Sequence, residues 1–190
     1  MKKKNKCFVG GGQHKEFLLS DIFFMKNTKS IMQNQIKPDS GQTPYVTASA
    51  NDNGIMTYIN CPNEWLEDGD CIMIGGKTLT FTYQDKNFCS NDSHNLALYN
   101  KDATKRKKLI YLFMMTSLNK RLSSKYSWGN SISMKKIKGD YFSLPVDSAG
   151  DVDYEYMEKY IAAIQKIIIA DVVQYADKKI AATKQIIHAE

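Results

Sequence analysis

The chain is poor in the residues that staple or punctuate a fold. It has four cysteines (Cys7, Cys61, Cys71, Cys89), far apart and with no C-x-x-C pair, and three equally scattered histidines. That pattern offers neither a disulfide framework nor zinc-ligand spacing, and free thiols in a reducing compartment are the expectation. No apolar run approaches ~18 residues, so no membrane span is expected. The basic start "MKKKNKCFVGGG" lacks the apolar stretch of a signal peptide. A cytoplasmic protein is the expectation. Between 153 and 188 there is neither proline nor glycine, and between 101 and 138 Asp102 is the only acid.

What is present follows from those gaps. At 190 residues with 43% hydrophobic content, the chain can bury one ordinary core. The net charge of +6 is concentrated: Lys101, Lys105, Arg106, Lys107, Lys108, Lys120, Arg121, Lys125, Lys135, Lys136 and Lys138 make eleven basic residues in 101–138. Such a run suits a polyanion, or it is a solvated surface that aids solubility. Tyr126 and Trp128, interleaved with the lysines of "KYSWGNSISMKKIK", favour nucleic acid.

The pattern divides the chain into a flexible arm (1–12), an α+β domain (13–150) and one long C-terminal helix (151–190). Strands are expected at Pro44–Ser49, Ile55–Ile59, Cys71–Ile74, Leu79–Tyr83, Asn95–Tyr99 and Tyr141–Val146, bounded by Asn, Asp, Gly and Pro clusters. Leu109, Leu112, Phe113, Met115, Thr116 and Leu118 predict a helix over Ala103–Leu122 that exposes "KRKK" in its first turns. The gap-free stretch from Asp153 to about His188 predicts a helix of roughly 54 Å. Its stripe of Met157, Ile161, Ile164, Ile168, Val172, Tyr175, Ala176, Ile180, Thr183 and Ile187 is close to a heptad seam, with slack supercoiling where the spacing stays at four. Such a helix seeks a partner helix, or else it packs lengthwise on its own domain.

Several motifs fail on inspection. "GGKT" (75–78) resembles the end of a phosphate-binding loop, but Cys71 stands where the first glycine belongs and a strand-like run follows. A turn between strands with an exposed Lys77 fits better. "SMKK" lacks the companion motifs of acyl-transfer enzymes. Asp68, Asp70 and Lys77 are a thin nuclease set, and "TPYV" is not a methyltransferase tetrad.

Four stretches in order carry a resemblance: "PYVTASANDNGI" (44–55), "FTYQDKNFCSNDSHNLAL" (81–98), "YLFMMTSLNKRLSSKYSWGNSISMKKIKGDYFSLPV" (111–146) and "GDVDYEYMEKYI" (150–161). From about Phe17 onward the chain resembles the target recognition domains of type I restriction–modification specificity subunits, and equally those of fused, type II-like enzymes. The resemblance implies a mixed α/β DNA target recognition domain followed by a coiled-coil-forming spacer helix. It implies no catalysis and no cofactor bound by this chain. S-adenosylmethionine and Mg/ATP would bind partner subunits, an adenine methyltransferase and a restriction subunit. Family members usually carry two recognition domains and two antiparallel helices, so a homodimer through Met157, Ile161, Ile164, Ile168, Val172, Tyr175, Ile180 and Ile187 is expected.

Recognition loops are not handed over by resemblance, so side-chain chemistry chooses the contacts with double-stranded DNA. Thr47, Ser49, Asn51 and Asn53 offer base-edge donors and acceptors, as do Thr78, Ser127, Asn130 and Ser131. Lys77 offers a phosphate or base-edge contact and Lys125 belongs to the base-reading loop, Lys135, Lys136 and Lys138 grip the phosphate backbone, and Tyr126 and Trp128 offer ring faces. The three loops are expected to form one surface. Two other classes stand beside this one. One is a protein-interaction module, a basic globule with a coiled-coil arm. The other is an autonomous nuclease.

Overall fold

The computed structural model describes residues 12–127 and 129–187. In chain order the elements are β1 (His14–Leu18), α1 (Leu19–Ile22), β2 (Phe23–Asn27), β3 (Thr43–Val46), β4 (Ile55–Ile59), β5 (Leu66–Glu67), β6 (Cys71–Ile74), β7 (Phe81–Gln84), β8 (Phe88–Ser90), β9 (Leu96–Asn100), α2 (Lys108–Leu122), α3 (Met134–Ile137), β10 (Tyr141–Pro145) and α4 (Tyr154–Ile187). The expected arm at 1–12 lies almost wholly outside the described residues.

Alternation along two strands builds the layers. β2, β9, β6 and β7 form an antiparallel sheet in that order. Successive side chains of a strand point to opposite faces. Ile72, Ile74, Leu96 and Leu98 therefore face one way, onto Ile110, Tyr111, Met114 and Leu118 of α2. Cys71, Met73, Ala97 and Tyr99 face the other way, onto Val46 and Phe88 of a second sheet ordered β4-β3-β8-β5. β6 and β9 are buried on both faces, so they read as unbroken apolar runs. Their isoleucines and leucines are fully buried; an Ile72→Ala change costs about 2–5 kcal/mol. β1 and β10 pair antiparallel, with Phe17 opposite Phe142. That pairing ties the start of the domain to the segment that launches α4.

The helix predicted from Ala103 starts five residues later. Asp102 accepts the Thr104 amide at 2.9 Å and caps a separate single turn. Arg106 then donates Nε to the Asn100 carbonyl at 2.8 Å, which holds the chain out of the helix until Lys107. β7 starts at Phe81 rather than Leu79 because Leu79 sits at φ 54° in the preceding turn. The "SMKK" stretch is the start of α3, where the Ser133 hydroxyl accepts the Lys136 amide.

α4 has 34 residues, about 51 Å at ~1.5 Å per residue. Only its root touches the domain. From Ile164 to Ala181 every residue is exposed. Helix packing lengthwise on its own domain is thereby excluded. No helix among the described residues is long and apolar enough to cross a membrane.

Candidate nucleic-acid interface

The "GGKT" glycines serve backbone packing. A Cβ on Gly75 would lie 2.5 Å from the hydroxyls of Thr78 and Thr80, and one on Gly76 would lie 2.1 Å from the His94 carbonyl oxygen. Both positions need glycine because neighbours occupy the side-chain space. The turn joins two antiparallel strands, β6 and β7, so no helix N-terminus meets it. Lys77 stands exposed at its tip. Its ammonium pairs with Asp92 Oδ2 at 3.3 Å, and His94 Nδ1 holds the other oxygen of that carboxylate at 2.7 Å. Burial pushes the Asp92 carboxyl up, but hydrogen bonds from the His94 amide and ring and from Lys77 outweigh it and hold it below its ordinary value. The carboxylate fixes both side chains in place. The thin nuclease set does not assemble: Asp70 accepts the Tyr83 hydroxyl at 2.8 Å at the opposite end of β6 from Lys77, about 13 Å away at ~3.3 Å per residue.

Loop 47–54 is stitched to this turn. Thr78 and Thr80 both donate their hydroxyls to the Ala48 carbonyl, at 2.9 and 3.0 Å. Asp52 and Asn53 take left-handed conformations (φ 48° and 54°), which short polar side chains tolerate. Asn53 Nδ2 donates to the Tyr83 carbonyl at 2.7 Å, and Gln84 Nε2 donates back to the Asn53 carbonyl at 3.0 Å. Thr47 donates to the Gly54 carbonyl at 3.3 Å, and Ser49 accepts the Asn51 amide at 3.1 Å. Of the four polar residues expected to read bases here, Thr47, Ser49 and Asn53 are engaged in shaping the loop, and the exposed Asn51 is left to face outward.

The third stretch is a separate knot. Tyr126 is 3% exposed, and its hydroxyl donates to Asp140 Oδ2 at 2.6 Å. Burial first, and then the Asp140 carboxylate, push its phenol well above the ordinary range. Tyr126 is therefore a core residue, which corrects its expected role as a ring for DNA. Lys125 pairs with the other Asp140 oxygen. Ser127 and Asn130 exchange backbone hydrogen bonds at 3.2 and 3.0 Å, closing a tight loop. Asn130 Nδ2 donates to the Lys125 carbonyl at 2.9 Å, while Lys136 reaches Asn130 Oδ1 at 2.7 Å and the Ser131 carbonyl at 3.0 Å. Lys135 and Lys138 are exposed beside it. Trp128 lies outside the described residues. Among the described residues these side-chain bonds stay within 125–140, so the first two loops form one unit and the third is built apart from them.

The basic run is split as well. α2 separates Lys101–Lys108 from Lys120–Lys138 by about 18 Å at ~1.5 Å per residue. Three members of the first group are committed to protein. Arg106 lies over the Tyr99 ring (5.6 Å), Lys105 over Tyr154 (5.4 Å), and Lys107 pairs with Glu158 at 3.0 Å. The second group and Lys77 remain suited to a polyanion. Between the joined loops and α2 runs a groove of about 470 Å³ floored by Leu79, Phe81 and Met115 and edged by Thr116 and Asn119. Sequence reasoning missed Asn119, His94 and Asp92. Asn119 stands among Thr116, Ser117, Lys120 and Arg121, so its residue type alone carried no signal.

Along α4, Met157 is fully buried in its own domain and Ile161 is half-buried. Met157 therefore drops out of the expected partner stripe. Ile164, Ile168, Val172, Tyr175 and Ile180 are exposed, Val172 to 61%. The Ile187 side chain is outside the described ones.

An α+β domain of stacked sheets and one helix layer, with a long projecting helix, defines a fold shared with solved specificity subunits. The S subunit of a type I restriction–modification system from M. genitalium superposes with a TM-score of 0.62 at 13% identity, over 90% of this chain and 45% of that one. The HsdS subunit from Thermoanaerobacter tengcongensis gives 0.58 at 15% identity, over 87% and 40%. The chain belongs to the type I restriction modification DNA specificity domain family, whose sequence model matches residues 13–187. The specificity subunit S.BcgI of a type II restriction enzyme from Heyndrickxia coagulans is 27% identical over 154 residues, 80% of this chain and 44% of that one. The chain spans less than half the length of these relatives.

Proposed function

We propose that the chain reads one half of a split duplex DNA site as the specificity element of a restriction–modification system, and that two copies pair through α4. The family match over 13–187 is the observation that carries the DNA reading. The joined loops 47–54 and 75–80 supply a rigid face with Asn51 and Lys77 outward, and Lys135 and Lys138 supply phosphate contacts. The chain has no catalytic role of its own in this reading and binds no cofactor. It positions an adenine methyltransferase subunit that carries S-adenosylmethionine, and a restriction subunit where one is present.

The spacing of apolar and small residues along α4 supports pairing of like helices; of the positions counted, Ile161 is half-buried and the others are exposed. Positions 161, 164, 168, 172, 176, 180 and 183 are separated by 3, 4, 4, 4, 4 and 3 residues, a palindrome about Val172. An antiparallel pair with its twofold axis at Val172 brings Ile164 onto Ile180 and Ile168 onto Ala176. Six steps in 22 residues average about 3.67, the eleven-residue-repeat value rather than the heptad 3.5. The two helices then wind about each other with a slight right-handed supercoil.

Selection of a random duplex library on the purified chain tests the DNA reading. One enriched motif is expected, with affinity falling steeply as salt rises. Capture without enrichment would leave a basic protein-interaction module as the better account.

A further inference from the structure

We infer that the root of α4 is an angular joint that sets the distance between two recognition halves, with Lys105, Lys107 and Phe113 as its positioning residues. The inference rests on the reading of α4 as the pairing helix of a DNA-recognising dimer.

The joint straddles one buried ridge. At ~100° per residue, Tyr154 and Glu158 fall on one flank of Met157, and Tyr156 and Tyr160 on the other. On the first flank, Lys107 Nζ reaches both Glu158 oxygens, at 3.0 and 3.2 Å. Lys105 sits 5.4 Å over the Tyr154 ring, whose hydroxyl accepts Asn100 Nδ2 at 3.3 Å. On the second flank, Phe113 meets the rings of Tyr156 and Tyr160 edge-on, at 6.3 and 5.7 Å. Those two tyrosines stack on each other at 5.8 Å. Met157 between them is fully buried. Tilting the helix towards either flank compresses one set of contacts and opens the other. Beyond the half-buried Ile161 and Ala162 no residue up to Ala181 is covered by the domain, so the angle is set at this root.

A split DNA site demands such stiffness. The lever from joint to reading face is taken as about 15 Å, the radius of gyration expected for a domain this size. A tilt of about 6° then moves that face about 1.6 Å along the helix. Two joints tilting alike change the separation of the halves by about 3 Å, close to one base-pair step of ~3.4 Å. A joint looser than this could not distinguish gaps that differ by a single base pair. The basic run at 105–107, which reads from sequence as a polyanion patch, acquires a different use: it locks the arm.

The test is a charge exchange in the full chain, Lys107→Glu, Glu158→Lys and both together. Spin labels at Lys86 and Lys166 report the angle without DNA. Each single variant should broaden the distance distribution, and the double variant should narrow it again. With duplexes whose half-sites are separated by stepped gaps, the parent should prefer one gap over its neighbours by about tenfold, on the scale of a mismatch penalty. Each single variant should lose that preference while keeping its affinity for an isolated half-site, and the double variant should regain it. A parent that binds no duplex overturns the DNA reading and the inference with it. Single variants that bind the half-site with unchanged gap preference, or whose distances stay as narrow as the parent's, overturn the inference alone.

Discussion

Val172→Glu tests the pairing of α4 where its consequences are largest. In the antiparallel register Val172 lies on the twofold axis, so one substitution places two carboxylates opposite each other. Each copy loses the burial of a valine, about 1.5 kcal/mol at the low end of the range for such side chains, or about 3 kcal/mol for the pair. Two like charges about 5 Å apart at an effective dielectric near 20 add about 3 kcal/mol of repulsion. The sum of about 6 kcal/mol weakens dimerisation roughly ten-thousandfold. Val172 is 61% exposed in the single chain and lies beyond the domain, so domain stability should not change. Sedimentation equilibrium reads the association constant, and thermal unfolding reads the domain. A dissociation constant within threefold of the parent would refute the placement of Val172 on the axis, as would a parent that is monomeric at micromolar concentration.

The register makes a finer prediction. Ile164→Cys combined with Ile180→Cys should form an intermolecular disulfide under oxidation, while either alone should not, because like positions lie about 24 Å apart along the pair. Non-reducing electrophoresis, with the native cysteines replaced, decides it. Lys77→Ala should weaken duplex binding and reduce the salt slope by about one. An unchanged affinity and slope would remove the 75–78 turn from the interface. Tyr126→Phe should destabilise the domain by about 1–3 kcal/mol by leaving Asp140 Oδ2 without its donor, yet leave DNA affinity below the melting range unaltered. A large loss of affinity with no change in melting temperature would return Tyr126 to the interface.

The parts legible in the sequence were those where local pattern and tertiary role agree. β4 and β6 have the expected limits because Gly54 and Asn60 flank the one and Asp70 and Gly75 the other. The gap-free C-terminal stretch is a helix that starts within one residue of the expected point and continues to the last described residue, Ile187. Short strands such as β5 and β8 carry too few residues to show a period, and β1 and β2 merge into one apolar run. The candidate contacts were less legible because composition does not say which side of a residue faces water. Tyr126 among lysines looks like a stacking platform until Asp140, fourteen positions later, is seen to bury it. The basic run looks continuous until α2 is seen to divide it. Met157 belongs to the apolar stripe by spacing and to the domain core by contact. In each case a long-range contact, invisible to spacing, decided the role.

The most direct test of specificity is a map of methylated adenines across the host genome, with and without this reading frame, in cells that express its methyltransferase. Loss of methylation at one split, inverted-repeat motif is the predicted result, and it reads the target out directly. A map that does not change when the reading frame is removed would contradict the account.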